Sequence, residues 1–417
     1  MSIVNVIRAN RGTSAHLLGN AMLLGIFMLL GGGLILITGE VESSKLARMV
    51  WAGVYCVTLL CAYQTSRALL YTIQRNASCM LLAVLCLLSI IWTSHRPSTV
   101  SASIAFSGST LVAYLMAIKI EPLRLLRIAA VGVFILVVIN FLLMLPNFGN
   151  NLGSGIRYSG FLPHPNMLGR LAGLGVVLFI VLTFSGEFPL LLGSVGVVMS
   201  GLLAVSSDSM TSLVAALFSL VFFLLRRMIG RPIGTGHIAV SVWFVICLSG
   251  LVWVNWSMLI EYAFGLMGRS TSLTGRAGLW SGVWDAILNK PFLGYGYAGF
   301  WSGERLITKQ LLDAAGWSTS SAHNGLFDIA LHLGFVGVAV FAVGIWRSLM
   351  TGLKFAFRRD SVLAVILLSL LCYLIILGVT ESAYMMRNSI YWVLIVVCSV
   401  YLRRLRDGEF LNATIDD

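Results

Sequence analysis

Three short segments carry polar side chains that an apolar chain does not need for packing, and each could do chemistry. The first is Arg157-Tyr-Ser-Gly-Phe-Leu-Pro-His164-Pro-Asn166. Pro163 and Pro165 forbid helix there, and Asn166 is placed to cap the helix that follows. A guanidinium in such a turn suits an anion, and equally suits an interfacial arginine beside a helix cap. The second, Leu273-Thr-Gly-Arg276-Ala-Gly-Leu-Trp280, puts an arginine in the first turn of a helical stretch, where the dipole disfavours cations. Backbone N–H groups at a helix start and a planar guanidinium both suit phosphate oxygens, so Arg276 fits an anion site; it also reads as a snorkelling side chain. The third is Ser320-Ser-Ala-His323-Asn324-Gly325. Its imidazole can take a proton from a hydroxyl as general base, or hydrogen-bond to backbone as an interfacial histidine does. Asp328 and His332 follow at i,i+4 and read mainly as a structural pair.

Between the second and third lies Pro291-Phe-Leu-Gly294-Tyr295-Gly296-Tyr297-Ala-Gly299-Phe300-Trp301. It matches a dinucleotide-binding pattern by letter, but no βαβ unit surrounds it. Two readings stay open: a close-packed turn, or Tyr295, Tyr297, Phe300 and Trp301 offering aromatic faces to sugar rings.

The elements that position these segments follow from composition. Of 417 residues, 58% are hydrophobic and 11% charged, with mean hydropathy +0.93. A soluble domain carries about 25% charge, so this chain is an all-α integral membrane protein. Its net charge of +12 therefore indicates membrane orientation rather than a nucleic-acid partner. The seven cysteines lie in apolar runs with no metal-ligand spacing and act as small hydrophobes.

About twelve spans are expected, at 17–38, 48–66, 77–93, 100–118, 125–145, 167–184, 189–206, 211–226, 238–256, 324–346, 361–380 and 389–402. They divide the chain into helices 1–5 (1–146), a loop with helices 6–9 (147–256), a long loop (257–323) and helices 10–12 with a tail (324–417). The first span follows Arg8, Arg11 and His16 and is too long for a cleaved signal, so it reads as an anchor. Twelve spans place both termini on one side. Seventeen of the 28 Lys and Arg residues then face the side of the termini, and five of the rest sit in the 257–323 loop, which weighs little. Both termini should be cytoplasmic and that loop periplasmic. Apolar positions from Ala277 to Leu288 at helical spacing, closed by Pro291, predict a short amphipathic helix over 275–290 on the membrane surface.

The ordered set Arg157-x-x-Gly…His164-Pro-Asn166, Ser207-x-Ser-Met-Thr-Ser-Leu213, Thr274-Gly-Arg276-x-x-x-Trp280, the 291–301 run and His323-Asn-Gly…Leu333-Gly334 resembles the bacterial O-antigen ligase and polysaccharide polymerase superfamily. The Gly-Tyr-Gly-Tyr…Phe-Trp run looks most like its exopolysaccharide polymerase branch. Two positions depart from the usual pattern: Met210 stands where an arginine often follows the serine, and His332 where a glutamate is usual.

The resemblance implies an inner-membrane glycosyltransferase that needs no metal or cofactor. Such an enzyme takes a glycan from an undecaprenyl-diphosphate carrier on the periplasmic face and joins it to an acceptor hydroxyl. In that scheme Arg157 and Arg276 hold the diphosphate and His323 is the base. Asn324, Trp280, Tyr295, Tyr297, Trp301 and His164 contact substrate, and the anomeric carbon inverts. Further partners would be the bilayer, a chain-length regulator and export proteins. Polymerase is favoured over ligase, and a transporter or flippase is the rival from another class.

Overall fold

The computed structural model describes residues 19–38, 44–147, 157–229, 273–303, 305–315, 319–359 and 361–407. In hydrocarbon each backbone N–H and C=O must bond within its own segment, and the described residues accordingly form helices and no strands. In order they are α1 (Gly19–Leu36), α2 (Lys45–Gln64), α3 (Ser66–Arg75), α4 (Ser78–Leu88), α5 (Arg96–Lys119), α6 (Pro122–Met144), α7 (Pro165–Phe184) and α8 (Leu190–Ser206). There follow α9 (Met210–Ile229), α10 (Leu273–Asn289), α11 (Gly299–Gly303), α12 (Arg305–Ala315), α13 (Gly325–Arg358), α14 (Val362–Thr380) and α15 (Ile390–Arg406). Local chemistry sets their starts. Proline occupies the first turn of α6 and α7, where its missing N–H costs nothing, and Glu121, Ser361 and Ser389 cap α6, α14 and α15.

Among the described residues, eight helices are long and apolar enough to cross a membrane, nine if α3 and α4, bent by 99°, form one broken span. Twelve were expected, and the difference has identifiable causes. The 77–93 run is α4, 11 residues followed by a 3-10 turn, and the 189–206 run is α8, of 17 residues. The 389–402 run is α15, also 17 residues, because it begins part-way down its neighbours. There the Asn388 N–H donates to the Ser109 hydroxyl at 2.8 Å and the Tyr55 hydroxyl donates to the Asn388 side chain, both partners lying mid-helix in α5 and α2. The 238–256 run lies outside the described residues.

One large core joins α5, α6, α7, α14 and α15, with Trp392 packed on Phe106 at 4.9 Å and bonded to the Thr110 hydroxyl at 2.9 Å. A smaller core joins α10 and α12 to the start of α13, through Leu279, Val283, Ile287, Phe300 and Leu311. The helix expected over 275–290 is present as α10, ending at Asn289 ahead of Pro291. Leu279 and Val283 face protein while Trp284 and Leu288 stay exposed.

Gly334 breaks α13 at φ 63°, ψ −166°. The break releases carbonyls that the 291–296 turn uses: Tyr295 and Gly296 donate to Leu331 and His332 at 2.8 and 3.0 Å, and Phe335 donates to Pro291 at 2.7 Å. A Cβ on Gly334 would collide with the Phe292 carbonyl. Gly334→Ala should lower stability by about 2 kcal/mol or more, from the left-handed backbone and the clash together. Gly53→Ala, which meets open space, should be neutral or stabilising. Thermal unfolding of the purified protein in detergent compares the two.

Candidate active site

Four helix ends bring the candidate residues together. Arg157 donates Nε to the Ser207 carbonyl at the end of α8 (3.3 Å) and Nη2 to the Asn166 amide oxygen. Asn166, in the first turn of α7, is buried and donates its amide N–H to Glu381 Oε1 at 2.9 Å. The other Glu381 oxygen lies 3.5 Å from His323 Nδ1, just before α13. Glu381 itself caps the C-terminus of α14 and is 2% exposed. A carboxylate removed from water needs hydrogen bonds or a cation, and Asn166 and His323 stand in those places.

Asn166 does not cap α7, as the sequence suggested. His164 does: its Nδ1 accepts the Asn166 N–H at 3.1 Å. With the backbone N–H satisfied by the neighbouring ring, the Asn166 side chain is available to bridge Arg157 and Glu381. An imidazole accepts at Nδ1 only when that nitrogen is unprotonated. Burial first, and then the positive charge of Arg157, hold the His164 pKa below 6.5, which keeps the acceptor lone pair.

His323 has φ 49°, a left-handed conformation that costs a non-glycine residue about 1–3 kcal/mol and persists only where its surroundings impose it. They do so on both sides. The Trp280 indole N–H donates to the Ala322 carbonyl at 2.9 Å, and the Ala322 N–H donates to Asp328 Oδ1 at 2.9 Å. The Ser382 hydroxyl and the Trp301 indole face the same Asp328 carboxylate. Asn324 caps α13, accepting from the Leu326 and Phe327 N–H groups. Asp328 thus turns back to the His323 turn instead of pairing with His332, whose ring packs edge-on against Tyr297 at 5.0 Å.

The remaining candidates separate. Tyr295 and Tyr297 are 2% and 4% exposed, with hydroxyls donated to the carbonyls of Ala286 (2.8 Å) and Met385 (2.5 Å). Of the two readings of the glycine-rich run, the close-packed turn describes them; neither offers a free ring face to a sugar in this conformation. Trp301 and Trp280 are partly exposed beside the His323 turn. Arg276 falls in the first turn of α10, and its side chain lies outside the described residues. The sequence reading missed Glu381 as a partner of His323. Its one signal was an acid directly after 19 helical residues without a charge.

A neutral His164 cap gives a signed pH dependence. Since the native pKa is lowered, the contribution is complete above the unperturbed value of 6.5 and is lost as pH falls through the native value. His164→Ala should cost about 0.5–2 kcal/mol at pH 7.5, the range for losing an N-cap acceptor, and His164→Asn should restore most of it. Melting curves at pH 7.5 and 5 should show the wild-type advantage over His164→Ala shrinking at the lower pH.

Comparison with known proteins agrees with the sequence motifs. The O-antigen ligase family matches residues 195–342, a stretch that holds Arg276, the glycine-rich turn and His323 but neither Arg157 nor Glu381. The exopolysaccharide production protein ExoQ of Rhizobium meliloti (strain 1021) is 24% identical over 288 residues, covering 66% of this chain and 64% of the relative. The chain thus spans a little under two thirds of that relative's length. A multi-pass helical membrane protein carrying an O-antigen ligase family segment, the chain resembles the bacterial O-antigen ligase and polysaccharide polymerase superfamily, with an exopolysaccharide production protein among its relatives.

Proposed function

We propose that the protein is an inner-membrane glycosyltransferase that polymerises undecaprenyl-diphosphate-linked repeat units into exopolysaccharide or O-antigen. Both termini lie in the cytoplasm and the site opens to the periplasm. The observation that carries the reading is His323, held in a strained conformation with Nδ1 towards the buried Glu381. A carboxylate behind one imidazole nitrogen directs the other, Nε2, to the reacting group and stabilises the imidazolium formed on proton uptake. The 3.5 Å separation is loose for a hydrogen bond and would tighten with substrate bound.

In this scheme the acceptor hydroxyl gives its proton to His323 Nε2, and its oxygen attacks the anomeric carbon from the face opposite the diphosphate. The sugar–phosphate bond breaks, the bond electrons leave with the diphosphate, and the configuration inverts. Arg157 and Arg276 take up the developing charge, a role that a guanidinium fills through planar paired hydrogen bonds. Asn166 ties the two halves, since one amide holds Arg157 and Glu381 together. Asn324 fixes the start of α13, and Trp280 and Trp301 flank the turn.

The similarity to an exopolysaccharide production protein supports polymerisation. The O-antigen ligase match supports the second reading, in which the acceptor is a lipid A core sugar. Purified protein in liposomes with a lipid-diphosphate repeat unit distinguishes them. A ladder of products is expected; a single transfer to lipid A core would make the protein a ligase, and no transfer with either acceptor would favour transport. His323→Ala and Arg276→Ala should each lower product at least about 10²-fold, and Arg276→Lys should recover little. Glu381→Gln should cost roughly 10–100-fold with His323 intact. Full activity in any of these would remove that residue from the mechanism.

A further inference from the structure

A further cationic pocket lies about one turn along α7 from Asn166. An open cavity of about 90 Å3 lies between α1, α2, the first turns of α7 and the 381–389 loop. It exceeds the roughly 10–15 Å3 that one water needs. Leu29, Leu34, Ile35, Trp51 and Leu162 give it an apolar wall, while Arg170 and Arg387 give it a cationic one; no described lining residue is acidic. Local geometry of α1 makes the space. Its Leu29–Gly33 stretch widens into a π-turn, and Gly32 at φ 97° leaves room that a Cβ, 2.9 Å from Leu162, would close.

Arg170 is 7% exposed and under-used. Nη1 donates to the Ser382 carbonyl at 3.3 Å and lies 3.7 Å from the Met386 sulfur, and the guanidinium sits over the Tyr391 ring at 5.6 Å. Its Nε is buried without a hydrogen-bond partner, and no carboxylate lies within ion-pair distance among the described residues. A guanidinium inside a membrane span is costly unless an anion compensates it, and no described residue supplies one to Arg170.

We infer that this cavity seats the phosphate or diphosphate headgroup of a long-chain lipid ester, with the hydrocarbon along the α1 and α2 wall. The inference rests on the transferase reading for the ligand's identity. Polymerisation joins two lipid-borne glycans, so while one diphosphate is held at the seat proposed above, the second lipid needs its own. Arg170 lies four residues after Asn166 on α7, which places the two seats about one helical turn apart along one rigid element.

The test uses the full chain in zwitterionic nanodiscs and farnesyl diphosphate carrying a diazirine on its terminal isoprene. Photolabelling is expected on residues 29–35 or Trp51, competed by unmodified farnesyl diphosphate. Arg170→Gln and Arg387→Gln should each cut it about tenfold or more, as for loss of a charge-assisted hydrogen bond. Arg387 is partly exposed, so its variant remains informative if Arg170→Gln fails to fold. Label elsewhere, or label indifferent to Arg387→Gln, overturns the inference. Competition by inorganic diphosphate alone would make this a free-anion site, and competition by phosphatidylglycerol a seat for bulk lipid; either also overturns it. Labelling needs no glycosyl transfer. A chain that labels here yet transfers nothing sinks the transferase reading alone, and one that transfers without labelling here sinks this inference alone.

Discussion

Burying a carboxylate at the C-terminal end of an apolar helix is doubly unfavourable, because water is lost and the helix dipole opposes the charge. Glu381 is in that position, and the surrounding architecture compensates it. The N-terminal turn of α7 delivers the Asn166 amide to one oxygen, and the residue just before α13 delivers His323 to the other. Both helices present their positive dipole ends to the same point. Three helices are thereby fixed at one locus, and Arg157 joins a fourth, α8, through the Ser207 carbonyl. Moving any of these ends would leave a buried polar group unsatisfied, at a cost of about 1–3 kcal/mol or more for a charge.

The segments that carry the site are irregular, and irregular backbone within a membrane needs its hydrogen bonds supplied from elsewhere. The break of α13 at Gly334 and the 291–296 turn solve this for each other, exchanging N–H and C=O groups. The 381–389 loop does the same by descending to Ser109 and Tyr55, and Tyr297 reaches the Met385 carbonyl from the opposite side. Tyr295 and Tyr297 therefore stiffen the floor of the site. That rigidity lets His323 stay in a left-handed conformation.

Charge is distributed to match. Arg157, His164, His323, Glu381 and Arg170 lie close enough that the other four bear on the His164 ring. One of the five is acidic, so these five are net positive whether or not a histidine is protonated, and buried Asp328 at the His323 turn offsets that charge when ionised. Positive charge in a low-dielectric setting suits the phosphorylated ligand proposed above better than a neutral one.

How much of this was legible in the sequence differs by residue. Membrane spans were, because about 20 apolar residues have few alternatives to a helix in lipid, and so was α10, whose apolar period and terminal Pro291 act within a few residues. The turns at Arg157 and His323 were legible as polar breaks in apolar surroundings. Which spans run full length was not, since α15 starts where Asn388 meets α5 and α2, residues far away in the chain. The cap of α7 was misassigned by two residues because histidine and asparagine both accept, and only the pull of Arg157 and Glu381 on the Asn166 amide selects between them. The sequence by itself determined a helical membrane protein with arginines and a histidine in polar turns, because hydropathy and side-chain chemistry are local properties. Tertiary structure alone decided that Glu381 stands behind His323, that Tyr295 and Tyr297 are interior, and that Arg170 and Arg387 share one cavity. Those pairings depend on where distant helix ends meet, and no spacing along the chain encodes them.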